Sequence, residues 1–192
     1  MNKRKNGAMS TKTLVMYALL TAIVVVLQLI AEFGPKVGPC SLSFVLVPIV
    51  VGSALCGWKC GGWLGFVFGV VVLLCPSTQI FYSISIPGTI VTVLVKGVAA
   101  GIAAALVYKL IADKNRTVAV ICAAITTPVV NTGIFLIGCR LFFFEFVKRL
   151  AGSGNVVAYM LLGLAGFNFL FELVTNILLS PAALRIIKIR EK

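Results

Sequence analysis

Four apolar runs, residues 14–31, 87–112, 117–144 and 156–184, leave a chain of 192 residues few ways to fold. Each is close to or beyond the ~20 residues that cross a bilayer core as a helix. A backbone in hydrocarbon must satisfy its own polar groups, so such runs are expected to be helical. A fifth apolar stretch, residues 42–75, is too long for one span and is interrupted by Gly57-Trp58-Lys59-Cys60-Gly61-Gly62. It reads as two shorter helices meeting at a tight turn near Lys59. The expectation is an all-α integral membrane protein of six transmembrane helices. Composition agrees: 60% of residues are hydrophobic and 11% charged, where a soluble domain has about half and a quarter. Six spans take about 120 positions, leaving no room for a soluble catalytic domain. The chain divides into a tail at 1–13, a six-helix domain at 14–184 and a tail at 185–192. The Lys3-Arg4-Lys5 cluster before the first run also suits a signal peptide. That run exceeds a usual signal core and reaches Glu32 without a convincing small-residue cleavage site.

Seventeen Lys and Arg against five Asp and Glu give +12, a balance that in a soluble protein raises nucleic-acid binding. Sorted by connection it becomes an orientation signal, because short loops rich in Lys and Arg stay cytoplasmic. With the N-terminus inside, the inner side holds Lys3, Arg4, Lys5, Lys12, Lys59, Lys109, Lys114, Arg116, Arg185, Lys188, Arg190 and Lys192. The outer side holds Lys36, Arg140, Lys148 and Arg149, while Lys96 falls within the fourth span. Both termini are therefore expected in the cytoplasm and the protein in the cell membrane.

Proline and glycine place the outer connections. Gly34-Pro35 and Gly38-Pro39 favour turns in the first. The second, residues 76–87, holds Ser77, Thr78, Gln79, Tyr82, Ser83 and Ser85 with no charge, so Gln79 and Tyr82 are candidates to meet a solute at the outer face, an ordinary amphipathic connection being the alternative. The third, residues 145–155, ends in Gly152-Ser153-Gly154-Asn155, a flexible linker by composition.

Several chemistries lack their residues. The chain has no His, which removes imidazole ligands and His general bases. It has no G-x-x-x-x-G-K-[ST] phosphate loop. Of the five acidic residues only Glu172 lies deep in a span, so no carboxylate cluster forms for a metal or for paired acid and base work. No catalytic residue, metal or cofactor is expected. Cys40, Cys56, Cys60, Cys75, Cys122 and Cys139 fall mostly within or at the ends of helices, where Cys serves as a small hydrophobe.

Gly57, Gly61, Gly65 and Gly69 recur every four positions, and Gly97 with Gly101 repeats the interval. On a helix this makes a smooth groove that another backbone can approach, and the row is assigned to internal packing. Ala18-Leu19-Leu20-Thr21-Ala22 is a shorter version, which alone also reads as packing.

Polar groups inside the spans carry the functional signal, because burying them costs several kcal/mol unless they are paired or line a polar cavity. Lys96 lies nine residues past Pro87, roughly 13 Å below the outer surface. Asn131 is roughly 21 Å above the inner end of the fifth helix by the same rise. Glu172, 13 residues before Arg185, is at nearly that height, with Asn168 one turn further out on its face. Thr126-Thr127-Pro128 adds hydroxyls, and Pro128 frees the carbonyl of Ala124. Helices four to six thus hold a candidate solute site in the outer half of the membrane. The alternative is structural, with Lys96 and Glu172 as a buried ion pair and Asn131 bonding helix to helix.

Ala18-Leu19-Leu20-Thr21-Ala22, the segment from Gly57 to Gly69, and Thr127-Pro128-Val129-Val130-Asn131-Thr132-Gly133 occur here in an order and spacing that resembles the S components of energy-coupling factor (ECF) vitamin transporters. The resemblance covers nearly the whole chain. It implies a six-helix protein that binds a vitamin from outside and docks on a transmembrane coupling subunit driven by two ATPases. It implies that Ala18 and Ala22 contact that subunit, and that the solute meets Asn131, Thr127, Lys96, Asn168, Glu172 and Arg140 beneath the first two outer loops. Asn-Thr-Gly on helix five is more similar to the pantothenate type. The folate type has Leu-Trp after Asn-Thr where this chain has Gly133-Ile134, and the riboflavin type has Lys one turn after the helix-six Asn where this chain has Glu172. Lys96 or Arg140 is then expected to meet a carboxylate. The rivals are an S component for riboflavin or folate, a self-sufficient secondary carrier driven through Lys96 and Glu172, and a structural subunit without ligand.

Overall fold

The computed structural model describes residues 10–34, 36–37, 40–41, 44–152 and 154–190. The elements are α1 (Thr11–Phe33), a two-residue antiparallel pairing of β1 (Lys36–Val37) with β2 (Cys40–Ser41), α2 (Leu46–Cys56), α3 (Trp58–Leu74), a 3-10 turn (Pro76–Thr78) leading into α4 (Gln79–Tyr82), α5 (Ile86–Ala112), α6 (Arg116–Phe142), α7 (Phe144–Ala151), α8 (Val156–Ala158), a π-helical segment (Tyr159–Gly166) and α9 (Phe167–Arg190). Helix starts follow ordinary capping chemistry: Ser10, Ser85 and Asn115 each accept a hydrogen bond from the first turn they precede, satisfying amides that have no partner inside the helix. The Lys3-Arg4-Lys5 cluster, Pro35, Gly38, Pro39, Ser153 and Lys192 lie outside the described residues.

Of the six expected spans, α1, α5, α6 and the stretch Asn168–Ile189 of α9 are long and apolar enough to cross a membrane. A fifth is reached if α3 is counted with the Pro76–Tyr82 segment, which bends from it by 75°. The remaining one, α2, has 11 residues, about 16 Å of rise against a core of about 30 Å. It need not match the bilayer because it lies inside the bundle: Leu46, Ile49, Val50 and Ser53 are fully buried, and it packs on α1, α3, α5, α6 and α9. A helix apolar on all sides is stable where other helices surround it.

The turn between α2 and α3 sits at Gly57, whose φ of +78° favours glycine, two residues before the expected position. Past it the glycine row does what its spacing implies. A Cβ on Gly61 would strike the carbonyl of Gly101, and one on Gly65 that of Gly97, so α3 and α5 touch backbone to backbone. Ser53 Oγ donates to the Gly101 carbonyl at 2.9 Å, pinning α2 to the same seam. Gly57 belongs to the turn and Gly69 faces Val93 and Leu94, so the close contact is narrower than the row.

Two departures occur near the chain's polar end. The fifth span ends at Phe142, and residues 144–151, expected partly as an irregular connection, form the amphipathic helix α7, anchored by buried Val147. Gly152, at φ +57°, ends it. The sixth begins with α8 and a π-helical segment before α9; π turns are rare and concentrate at functional places.

The interior has two apolar clusters. The larger gathers Leu20, Val24, Ile49, Leu64, Ala104, Val120 and Ile187 among others. The smaller holds Cys139, Phe143, Val147 and Met160. Along α6 the order is instructive: Ala119, Val120 and Ala123 enter the first cluster, Cys139 and Phe143 the second. Asn131 and Phe135 fall between them, and there the bundle leaves a space lined by polar groups.

Candidate functional site

That space is a cavity of two adjoining lobes, about 230 Å³ and 270 Å³. Phe81, Lys96, Asn131, Phe135, Asn168 and Glu172 line both. The helices contribute residues one turn apart, which share a face: Gln28 with Glu32 on α1, Phe68 with Val72 on α3, Thr89, Thr92, Val93 and Lys96 on α5, Asn131 with Phe135 on α6, and Asn168 with Glu172 on α9.

Lys96 and Glu172 interact electrostatically, yet no salt bridge closes between them among the described residues. The ammonium lies instead over two rings, 5.7 Å from the centre of Phe68 and 5.4 Å from that of Phe135. Aromatic faces attract a cation without neutralising it. Asn131, 5% exposed, lines the same cavity as the Glu172 carboxyl. Three oxygens around the cavity, the hydroxyl Thr92 Oγ1 and the amide acceptors Asn131 Oδ1 and Asn168 Oδ1, are buried with no partner. An unpaired buried polar atom costs about 1–3 kcal/mol, so their gathering at one cavity marks a place built for something that donates hydrogen bonds.

The roof comes from the turn after α3. Glu32, at the end of α1, accepts from the Ser77 backbone N–H at 3.0 Å and from Ser77 Oγ at 2.8 Å. Phe81 drops into an aromatic cluster with Phe135 and Phe143 at 5.9 Å and 5.2 Å. Thr78 is buried and donates to the Val72 carbonyl at 2.6 Å.

The structure therefore brings Lys96, Asn131, Asn168 and Glu172 together and leaves the other candidates elsewhere. Thr127 is 0% exposed, but its hydroxyl donates to the Ala123 carbonyl at 2.7 Å, and Thr126 does the same to Cys122. In apolar surroundings a hydroxyl takes the carbonyl four residues back, so neither lines the cavity; Thr132, at its second lobe, does. Arg140 follows Asn131 by nine residues, half a rotation around the helix, and faces outward over Phe144. Gln79 is exposed, and Tyr82 turns away to donate to the Leu73 carbonyl at 3.0 Å. From that segment Ser77, Thr78 and Phe81 point inward. Gln28, Glu32, Thr89 and Thr92 were not singled out from the sequence; the four-residue spacing of Gln28 and Glu32 was the signal available for the first two.

Ala18 and Ala22 are exposed on α1. Ala18 lies in an apolar groove of about 560 Å³ with Leu14, Tyr17, Thr21, Lys59 and Trp63. Trp63 Nε1 donates to Thr21 Oγ1 at 3.1 Å across it. Among the described residues no His, Cys, Asp and Glu gather in a group able to hold a metal ion.

Membrane-length apolar helices around a cavity lined by polar groups define a multi-pass membrane protein. The chain belongs to the family of ECF transporter substrate-specific components, whose family model matches residues 12–184. It is thus a transporter component and not an enzyme. It is also similar to the pantothenic acid transporter PanT of Lactococcus lactis subsp. cremoris (strain MG1363), 25% identical over 181 residues that cover 86% of this chain and 88% of that protein. No solved structure matches the chain.

Proposed function

We propose that this chain is the vitamin-binding component of an ECF transporter and that its vitamin is pantothenate. One observation carries the choice: a single amine, Lys96, beside three unpartnered buried oxygens, the hydroxyl of Thr92 and the amide acceptors Asn131 Oδ1 and Asn168 Oδ1. Pantothenate is complementary in kind. Its carboxylate suits Lys96, its pair of hydroxyls and its amide N–H supply donors for the acceptors, and its geminal methyl groups suit the rings of Phe135 and Phe143. Folate would set a pair of carboxylates against one ammonium with Glu32 and Glu172 nearby. Riboflavin needs a wide flat slot for its fused rings. The similarity to PanT supports the same reading.

In this proposal both termini face the cytoplasm of the cell, as the distribution of Lys and Arg favours. The vitamin enters from outside when the roof at Ser77, Thr78 and Phe81 lifts. A separate transmembrane subunit, driven by two ATPases, docks on the face of α1 that carries Ala18 and Ala22, then turns the protein to open the cavity inward. This chain supplies specificity, and its partners the energy of ATP.

Mass spectrometry of the small molecule retained by detergent-purified protein, with calorimetric titration of pantothenate, riboflavin and folate, tests the specificity. Pantothenate alone is expected to bind; saturable binding of either other vitamin in its place would overturn the choice. Asn131→Ala is expected to weaken pantothenate by roughly 3- to 10-fold, the worth of one hydrogen bond. An unchanged affinity would move the site away from α6. Replacing both Ala18 and Ala22 with Trp is expected to abolish uptake by cells while binding to purified protein persists. Uptake at the normal rate would end the docking assignment.

A further inference from the structure

The outward face of α6 carries a second, chemically different site. An apolar groove of about 260 Å³ runs beside Arg140 between α6 and the π-helical segment. It continues into one of about 240 Å³ that shares Leu136 and Leu161 with it and reaches Val129 and Phe169. From Val129 to Arg140 is 11 residues of α6, roughly 16 Å of rise, about half of a ~30 Å hydrocarbon core. Arg140 stands at the end of α6, roughly 36 Å from Arg116, longer than a ~30 Å hydrocarbon core, so with Arg116 at one membrane face it reaches headgroup level at the other. Its guanidinium stacks on Phe144 at 4.0 Å, and among the described residues it has no carboxylate or hydrogen-bond partner. Lys148 lies one turn further along the same face of α7 as Phe144 and is exposed. Against these two cations and neighbouring Arg149 the helix sets one acid, Glu145.

We propose that this groove holds one acyl chain of an anionic phospholipid, with Arg140 taking the phosphate. The groove supplies length and apolar walls for a chain confined to one leaflet. The mouth supplies a planar donor fork, held flat by Phe144, that matches a phosphate. Lys148 adds positive charge where an anionic headgroup carries its excess negative charge. The groove also backs on the cavity, since Thr132 and Ala165 line both, so a chain seated there supports the thin wall formed by the π-helical segment.

Gly133 gives a clean test. It lines the groove, and a Cβ there meets nothing within 4 Å, so Gly133→Leu fills the groove without striking the fold. Native mass spectrometry of the full-length, detergent-purified protein would be run with phosphatidylglycerol or phosphatidylcholine of equal chain length. The wild type is expected to retain phosphatidylglycerol with at least fivefold preference. Arg140→Gln should remove that preference by weakening phosphatidylglycerol more than phosphatidylcholine, whose phosphate is already balanced by its own choline cation. Gly133→Leu should reduce both lipids several-fold. Melting temperatures near the wild-type value would show that each variant is folded. If Arg140→Gln keeps the preference, the headgroup assignment falls; if Gly133→Leu binds both lipids as before, the groove is not the acyl site. Neither readout uses pantothenate, so this proposal and the vitamin assignment are tested separately.

Discussion

Lys96→Met is expected to cost pantothenate binding more than any other single change in the cavity, roughly thirtyfold to a few thousandfold. Removing one partner from a buried hydrogen-bonded charge pair costs about 2–5 kcal/mol, and each 1.4 kcal/mol is a factor of about ten. Among the described residues no other lysine or arginine lines the cavity, so none of them stands in for the lost charge. Arg140 is on the opposite face of its helix and cannot substitute. The variant also leaves Glu172 without its cationic neighbour, which by itself destabilises the fold. The double variant Lys96→Met with Glu172→Gln separates the effects: it should melt near the wild type and still fail to bind. Titration calorimetry reads the affinity, and a double variant with near-normal affinity would exclude Lys96 as the carboxylate partner.

The second large effect is structural. Gly65→Leu is expected to prevent recovery of monodisperse protein from membranes, because its Cβ would run into the Gly97 carbonyl. The obstacle is backbone, which cannot rotate aside as a side chain does, so α3 and α5 must separate along their contact. Overpacking a tight core costs about 1–3 kcal/mol when side chains can adjust, and here they cannot. Gly133→Leu, the same change in open space, should leave yield and melting temperature close to the wild type. Size-exclusion profiles and thermal melts of the pair in detergent decide the point; equal behaviour would mean the α3–α5 seam is looser than its glycines imply.

The contrast between Gly65 and Gly133 shows where sequence reasoning held and where it stopped. A glycine every four residues is a pattern along the chain, and the four-residue interval places Gly61 and Gly65 on one face before any fold is known. Gly133 has no such pattern, and only its surroundings reveal that it borders open space. The same holds for polar groups. Lys96, Asn131, Asn168 and Glu172 lie deep in long apolar runs, where a polar group must face inward to avoid lipid. Near the ends of the runs that argument weakens, because a headgroup or water serves a polar atom as well as a cavity does. Gln79, Tyr82 and Arg140 lie in that zone, and the structure turns each away from the cavity.

The sequence by itself determined the rough extent of the four long apolar helices, the turn between α2 and α3, the glycine contact, the family and the four polar residues that meet at one cavity. These follow from local chemistry: run length against bilayer thickness, caps, glycine conformation and the cost of burying charge. Only the tertiary structure decided that α2 is an inner helix too short to cross, that Glu32 of α1 grips Ser77, and that Phe81 rather than its polar neighbours fills the roof. Each depends on how one helix is rotated and seated against another. A residue turns by about 100° around a helix from its neighbour, so a small change in packing moves a side chain from cavity to lipid without altering the sequence pattern that encodes it.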